Sequence, residues 1–256
     1  MQQKQSEWAW QWERLRHGSE WLFSEWIWPC TLDDFRGKDV LDAGCGGGQH
    51  LALVAELART VVGVDLNASE SARQNALRFS NVSIVEDDIL TMDIGKSFDV
   101  VYCIGVLHHT NDPGLAFQNL TRHCRPGGCV IVWVYAREGN FWNRILLEPL
   151  KRIFVRHLPR RIVWFLAHVI ECLLYPLVYT LYVLPLPFLP FYAYFANWRR
   201  LNYEQNFLNV FDKLNAPQTF FIDRAQVEHW FEPGYFEKVS ITPYVGVSWR
   251  ASGTKR

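Results

Sequence analysis

The strongest constraint on this chain is the run Val40-Leu41-Asp42-Ala43-Gly44-Cys45-Gly46-Gly47-Gly48, an apolar stretch that ends in a glycine-rich loop just before the Leu- and Ala-rich segment His50–Arg59. A tight strand-to-helix turn takes positive φ and lets a ligand approach the bare backbone, and both demands favour glycine. A dinucleotide loop of GxGxxG spacing would put its third glycine at position 49, which is Gln49. The spacing here is GxGxG, with Asp42 at the strand end. A carboxylate there would repel a pyrophosphate and sit comfortably beside a cation. The loop therefore points to a ligand with a cationic head.

Further apolar runs follow at Val61–Val64, Val82–Val85, Phe98–Val106 and Cys129–Tyr135, separated by helical stretches at Ala68–Phe79 and Leu115–Cys124. Strands apolar throughout, alternating with helices, predict a parallel sheet covered on both faces. Arg125-Pro126-Gly127-Gly128 reads as the turn that ends the last of those helices. The rhythm stops after Tyr135 and resumes near the C-terminus. There Asp223 is placed to cap a helix running to about Phe231, and Phe236–Val245 and Val247–Ala251 read as strands joined at Gly246. Four regions result: a helical extension over 1–36, with Trp8, Trp12, Leu15 and Ser19 near one stripe; a core over 37–136; an aromatic- and proline-rich insertion over 137–218; and a helix with a strand pair over 219–256 that completes the core.

Asp65 lies 21 residues beyond Gly44, at the end of the second run, where a carboxylate can accept hydrogen bonds from ribose hydroxyls. After the third run, Glu86-Asp87-Asp88-Ile89 offers an acceptor for an adenine amino group, from Asp87 or Asp88, of which Asp88 is preferred. These motifs, with FDVVYCIGVLHHTNDP and RPGG after them, resemble the class I S-adenosylmethionine-dependent methyltransferases and are nearest to the small-molecule branch that includes quinone-biosynthesis enzymes. The resemblance implies a Rossmann-like α/β fold: a seven-stranded, mostly parallel sheet with helices on both faces and the last strand antiparallel. It implies S-adenosylmethionine as cofactor. The methionyl part would lie against Asp42, Gly44, Cys45 and Gly46 and beside Ile104 and Gly105, with ribose contact at Asp65 and Leu66 and adenine contact at Asp88 and Ile89.

Methyl transfer is a displacement at carbon for which alignment and water exclusion are the main protein contributions. His108 and His109 follow the fourth run at the carboxyl edge of the sheet, where either can serve as base for an acceptor hydroxyl or simply pack the loop carrying Asn111-Asp112-Pro113. The six cysteines are scattered without Cys-x-x-Cys or metal-ligand spacing, which reads as reduced thiols, no metal and a cytoplasmic chain, free or peripheral at the inner membrane face. Lys plus Arg equals Asp plus Glu, at 26 each, an argument against nucleic acid as a partner.

Cys172–Trp198 holds no charged residue, a length that could span a bilayer. Pro176, Pro185, Pro187 and Pro190 are expected to interrupt a regular helix, and one crossing would separate the C-terminal strands from their sheet. Three readings stay open: a soluble lid over an apolar acceptor pocket, a segment dipping into the membrane face, or core packing. The function expected is methyl transfer to oxygen or carbon of a small, apolar or lipid-linked acceptor. A non-catalytic cofactor-binding partner subunit and a nicotinamide oxidoreductase are the alternatives.

Overall fold

The protein is described by a computed structural model covering residues 19–67 and 70–256. Trp8, Trp12 and Leu15 of the expected N-terminal stripe, and the Ala68 start of one expected helix, lie outside the described residues. The strands are β1 (Asp39–Ala43), β2 (Thr60–Asp65), β3 (Val82–Glu86), β4 (Phe98–Ile104), β5 (Cys124–Tyr135), β6 (Phe236–Tyr244) and β7 (Ser248–Lys255). The helices are α1 (Glu20–Ile27), α2 (Gln49–Ala55), α3 (Glu70–Ala76), α4 (Pro113–His123), α5 (Glu148–Ile153), α6 (Arg160–Thr180), α7 (Tyr192–Trp198), α8 (Tyr203–Asn215) and α9 (Arg224–Trp230).

The strands form one sheet in the order β3-β2-β1-β4-β5-β7-β6. β1 through β5 pair in parallel, and β7 runs antiparallel to both β5 and β6. Successive residues alternate between two cores. Leu41, Val101, Val130 and Val132 face α4 and α9, while Val40, Val100, Tyr102 and Ile131 face α1, α2 and α3. Burial on both faces is why these strands read as apolar throughout. Strand order reverses between β1 and β4, and in open α/β sheets the crevice beyond the strand ends at such a point is where ligands sit.

β5 departs from its expected bounds. It begins at Cys124, so Arg125–Gly128 belongs to the strand and not to a turn before it. The register with β4 steps from Phe98↔Cys124 to Val100↔Cys129, which throws the glycines out of line. The stretch is retained in the sheet because Arg125 donates to Asp99 Oδ1 (2.8 Å), Asp39 Oδ2 (3.3 Å) and the Ser97 carbonyl (2.8 Å). With Arg59 also on Asp39, these guanidinium groups hold the Asp39 carboxyl far below the usual carboxylate range. This charge cluster ties the sheet together at the edge opposite the cavity described below.

The insertion has a core of its own, built from Val163 and Ala167 of α6, Phe195 and Trp198 of α7, and Phe207 and Phe211 of α8. Pro176 does not end α6, contrary to expectation: the helix continues to Thr180, whose hydroxyl donates to the Pro176 carbonyl at 2.6 Å. One missing N–H is tolerable where flanking turns stay packed; Pro185, Pro187 and Pro190 do lie outside helices.

Asn119 on α4 positions the segment after β3. Fully buried, its Nδ2 donates to the carbonyls of Ile89 and Met92, each at 3.1 Å. Asn119→Ala leaves both carbonyls buried without that donor and is expected to lower stability by about 1–3 kcal/mol. The urea midpoint checks this; an unchanged midpoint would show that the tie carries no stability.

Candidate active site

β1 ends against β2, and that junction shapes the loop. The Val64 carbonyl accepts from both Gly44 N (2.7 Å) and Cys45 N (3.0 Å). Asp65, the last residue of β2, accepts from Gly46 N through Oδ2 and from Asn67 N through Oδ1, each at 3.0 Å. Gly44 sits at φ +89°, and a β-carbon there would fall 2.5 Å from Val106 Cγ2, so neither backbone nor space admits a side chain. Gly48, also left-handed at φ +79°, opens α2.

Above this loop is a cavity of about 260 Å³. Of the residues expected to hold the cofactor, Gly44, Cys45, Gly46, Asp65, Leu66, Asp88, Ile89, Ile104 and Gly105 line it. Asp88 faces the cavity and Asp87 does not; the Asp87 N–H instead donates to the Asp65 carbonyl at 3.1 Å. Asp42 is not on the wall. It is 2% exposed, its Oδ2 has no protein hydrogen-bond partner among the described residues, and burial raises its pKa to about 7. A buried carboxyl with one oxygen unpaired, next to a glycine loop that would not admit a β-carbon, fits a ligand that brings positive charge to the end of β1.

The cavity also has walls the sequence did not indicate. Trp26 of α1, His50 of α2 and Trp133 of β5 converge on it, as do Leu208, Asn209 and Asp212 of α8. His50 stacks on Phe23 (centroids 4.9 Å apart) and meets Trp26 edge-on (5.5 Å). Burial lowers its pKa to about 4, so it is a neutral aromatic wall at pH 7. None of these positions stands out in a motif, because each comes from an element whose approach is set by packing. Their convergence also crosses the boundary drawn at residue 137, since the insertion supplies part of the same wall.

The two histidines separate. His108 is fully buried, off the cavity, against Tyr135 (4.1 Å) and His109 (4.2 Å), with its Nδ1 accepting from Tyr135 N at 3.4 Å. His109 lines the cavity. Its Nδ1 lies 2.8 Å from the Gln218 carbonyl, which can only accept, so that nitrogen carries the proton and Nε2 presents a lone pair 3.9 Å from Asp212 Oδ2. Burial holds the pKa of both imidazoles below the usual value, which keeps them neutral at pH 7. Asp212 in turn accepts from the Tyr135 hydroxyl at 3.1 Å.

A second cavity, of about 220 Å³, lies between the sheet and the insertion and shares Trp26, Trp133, Tyr135, Asn209 and Asp212 with the first. Its remaining wall is mainly apolar, with Leu147, Ile170, Leu174, Phe191 and Phe195 among the contributors, and Lys213 is its one lysine. Lys213 Nζ donates to Tyr194 Oη at 3.0 Å.

This strand order, the antiparallel β7 and a GxGxG loop over the reversal point define a class I S-adenosylmethionine-dependent methyltransferase fold. Residues 41–132 match the family described as a methyltransferase domain, a match that supports S-adenosylmethionine as the cofactor. Among curated relatives, the tRNA U34 carboxymethyltransferase of Pseudoalteromonas translucida is 31% identical over 156 residues, covering 58% of this chain and 46% of that protein. The ubiquinone biosynthesis O-methyltransferase of Paracidovorax citrulli is 34% identical over 114 residues, covering 42% and 46%. A solved O-methyltransferase family protein from Burkholderia thailandensis shares the fold, with TM-score 0.50 and 14% identity over 87% of this chain and 52% of that one. The chain spans about half the length of the curated relatives it matches.

These relatives correct one expectation. Charge balance was read as excluding nucleic acid, yet several of the relatives are named for action on tRNA. Zero net charge limits long-range, non-specific attraction; it does not bear on a local docking surface.

The Asp42 carboxyl predicts a pH dependence. Its folded pKa of about 7 lies above the ordinary carboxylate value of 3.8, so between the two the folded state keeps a proton that the unfolded chain has lost. That contribution to stability is complete below about pH 4 and is lost as pH rises through about 7. Asp42→Asn removes it, so the cofactor-free variant should gain on the parent between pH 5 and pH 8, by about 3 kcal/mol at most. Denaturant midpoints of both proteins at the two pH values check this, and parallel profiles would contradict it.

Proposed function

We propose that the chain transfers a methyl group from S-adenosylmethionine to a hydroxyl of an apolar acceptor held in the second cavity, with His109 as the base. The observation that carries this reading is the shared wall: Tyr135 and Asp212 belong to both cavities, and His109 stands beside them. Two chambers meeting at a base suit a reaction in which donor and acceptor must be brought into line.

When bound, the cofactor supplies a methyl group on a sulfonium, an already activated leaving group. Asp42 would balance its positive charge, Asp65 would accept from the ribose, and Asp88 with the backbone at Ile89 would receive the adenine. His109 Nε2 would take the acceptor proton, its ring held by the Gln218 carbonyl at Nδ1. Tyr135 restrains the Asp212 carboxylate, which would stabilise the imidazolium formed. Trp26, Trp133 and the insertion would exclude water from the junction. The lining of the second cavity supports an acceptor that is largely apolar, in keeping with the quinone-directed relatives.

A second reading places the acceptor on RNA. It is favoured by the relatives named tRNA U34 carboxymethyltransferase, and in that reading the same donor cavity would serve a nucleotide presented at the shared wall.

Incubation with methyl-labelled S-adenosylmethionine, once with a cellular lipid extract and once with bulk tRNA, tests both. Label is expected in the lipid fraction. His109→Ala should lower its appearance by about 10²–10⁴-fold with cofactor affinity nearly unchanged. Label in tRNA alone would overturn the apolar acceptor, and equal loss of cofactor affinity would return His109 to a packing role.

A further inference from the structure

The insertion carries an apolar surface that the cavities do not use. Among the described residues, 17 of the 24 exposed large hydrophobic side chains fall between Phe141 and Phe188. The longest element there is α6, whose buried residues are Val163, Ala167, Glu171 and Val178. Their spacing traces one narrow stripe, the one packed toward α8, because i, i+4 and i+8 positions share a helix face. The rest of α6 turns outward with apolar side chains: Phe165 is 64% exposed and Leu173 69%, while Phe188, beyond the helix, is 78% exposed. With the 3-10 turn after it, the helix runs 24 residues and contains an 18-residue window of mean hydropathy 1.8. An ordinary surface helix is polar on its outer face, and apolar patches of this extent mark an interaction site.

Charge indicates what covers it. Glu148 and Glu171 are the stretch's two carboxylates; both are buried, and Glu148 is paired with the buried Lys151. Arg152, Arg156 and Arg161 are exposed. The surface is therefore apolar with an unopposed basic fringe, the pattern that suits the boundary of an anionic bilayer. A protein partner would be expected to find carboxylates as well as apolar contacts. RNA would gain nothing from the phenylalanines and leucines between the arginines.

The long helix does not cross the bilayer. Tyr135, before the insertion, and Asp212, near its end, are hydrogen-bonded at 3.1 Å, so the chain leaves and returns on the same side. α6 is the one element among the described residues long and apolar enough to span, which leaves no partner for a return crossing.

We infer that residues 141–188 form a monotopic docking face that lays α6 and its neighbours into the surface of an anionic membrane without spanning it. Leu147, Ile170 and Leu174 of the same stretch line the second cavity. The docked chain thus holds its acceptor chamber against the bilayer, and an apolar acceptor dissolved there reaches it without passing through water. This delivery rests on the function proposed above; the docking does not, and the two can fail separately.

Flotation with vesicles of phosphatidylcholine, and with vesicles containing about one third phosphatidylglycerol, tests the face. The full chain should float with the anionic vesicles and at least tenfold less with the neutral ones. Phe165→Glu/Leu173→Glu should lose flotation at least tenfold, and Arg152→Glu/Arg156→Glu/Arg161→Glu should lose the preference for anionic lipid. All substituted positions are exposed and none lines either cavity, so S-adenosylhomocysteine binding should be unchanged and serves as the folding control. Failure of the full chain to float with either vesicle overturns the inference, as does equal flotation of the Phe165/Leu173 variant. A concentration-dependent dimer dispersed by that variant, without flotation, would assign the face to a second copy. Retention of tRNA through the three arginines, again without flotation, would assign it to RNA.

Discussion

The Val64 carbonyl, accepting from both Gly44 N and Cys45 N, is the contact on which the site depends. It turns the end of β1 toward β2, presents the Asp65 carboxylate to Gly46 N, and leaves the reversal between β1 and β4 open as a crevice. A side chain at Gly44 would meet Val106, whose neighbours Ile104 and Gly105 form the opposite wall. Loop, acidic strand end and cavity therefore follow from one crowded junction. The charge cluster of Asp39, Asp99, Arg59 and Arg125 anchors the other end of the same strands.

What sequence could show follows from where the information is local. The glycine spacing, Asp65 and the apolar runs are contiguous patterns whose meaning depends on backbone geometry alone, and the parallel strands they imply are the ones observed. Asp42 shows the limit of such reading: its position at the strand end is plain, but its burial and its missing partner come from β4 and the loop above. Arg125–Gly128 looks like a turn because proline and glycines are the local signal; the ion pairs to Asp39 and Asp99 that hold it in the sheet are 26 or more residues away. Trp26, His50 and Asp212 are the clearest illegible members of the site. They arrive from three separate elements, and nothing in their own neighbourhoods announces a shared cavity.

The insertion joins the two halves of the account. It closes the first cavity with Leu208, Asn209 and Asp212, forms most of the apolar chamber beside it, and turns its remaining apolar surface outward. Pro176 within α6 and Pro185, Pro187 and Pro190 after it predict repeated breaks from sequence. The helix persists there because its inward stripe is buried against α8, and local propensity is the weaker term. One segment thus completes the wall of the first cavity and shapes the second, so the fold's common core and the insertion meet at Tyr135 and Asp212.

The central claim is that the glycine loop and the buried Asp42 hold S-adenosylmethionine. Isothermal titration of the protein with S-adenosylmethionine, S-adenosylhomocysteine and NADH addresses it most directly. The account predicts binding of the first two at a single site, weakened at least tenfold by Asp65→Ala, and no heat with NADH. Binding of NADH without either adenosyl compound would contradict it.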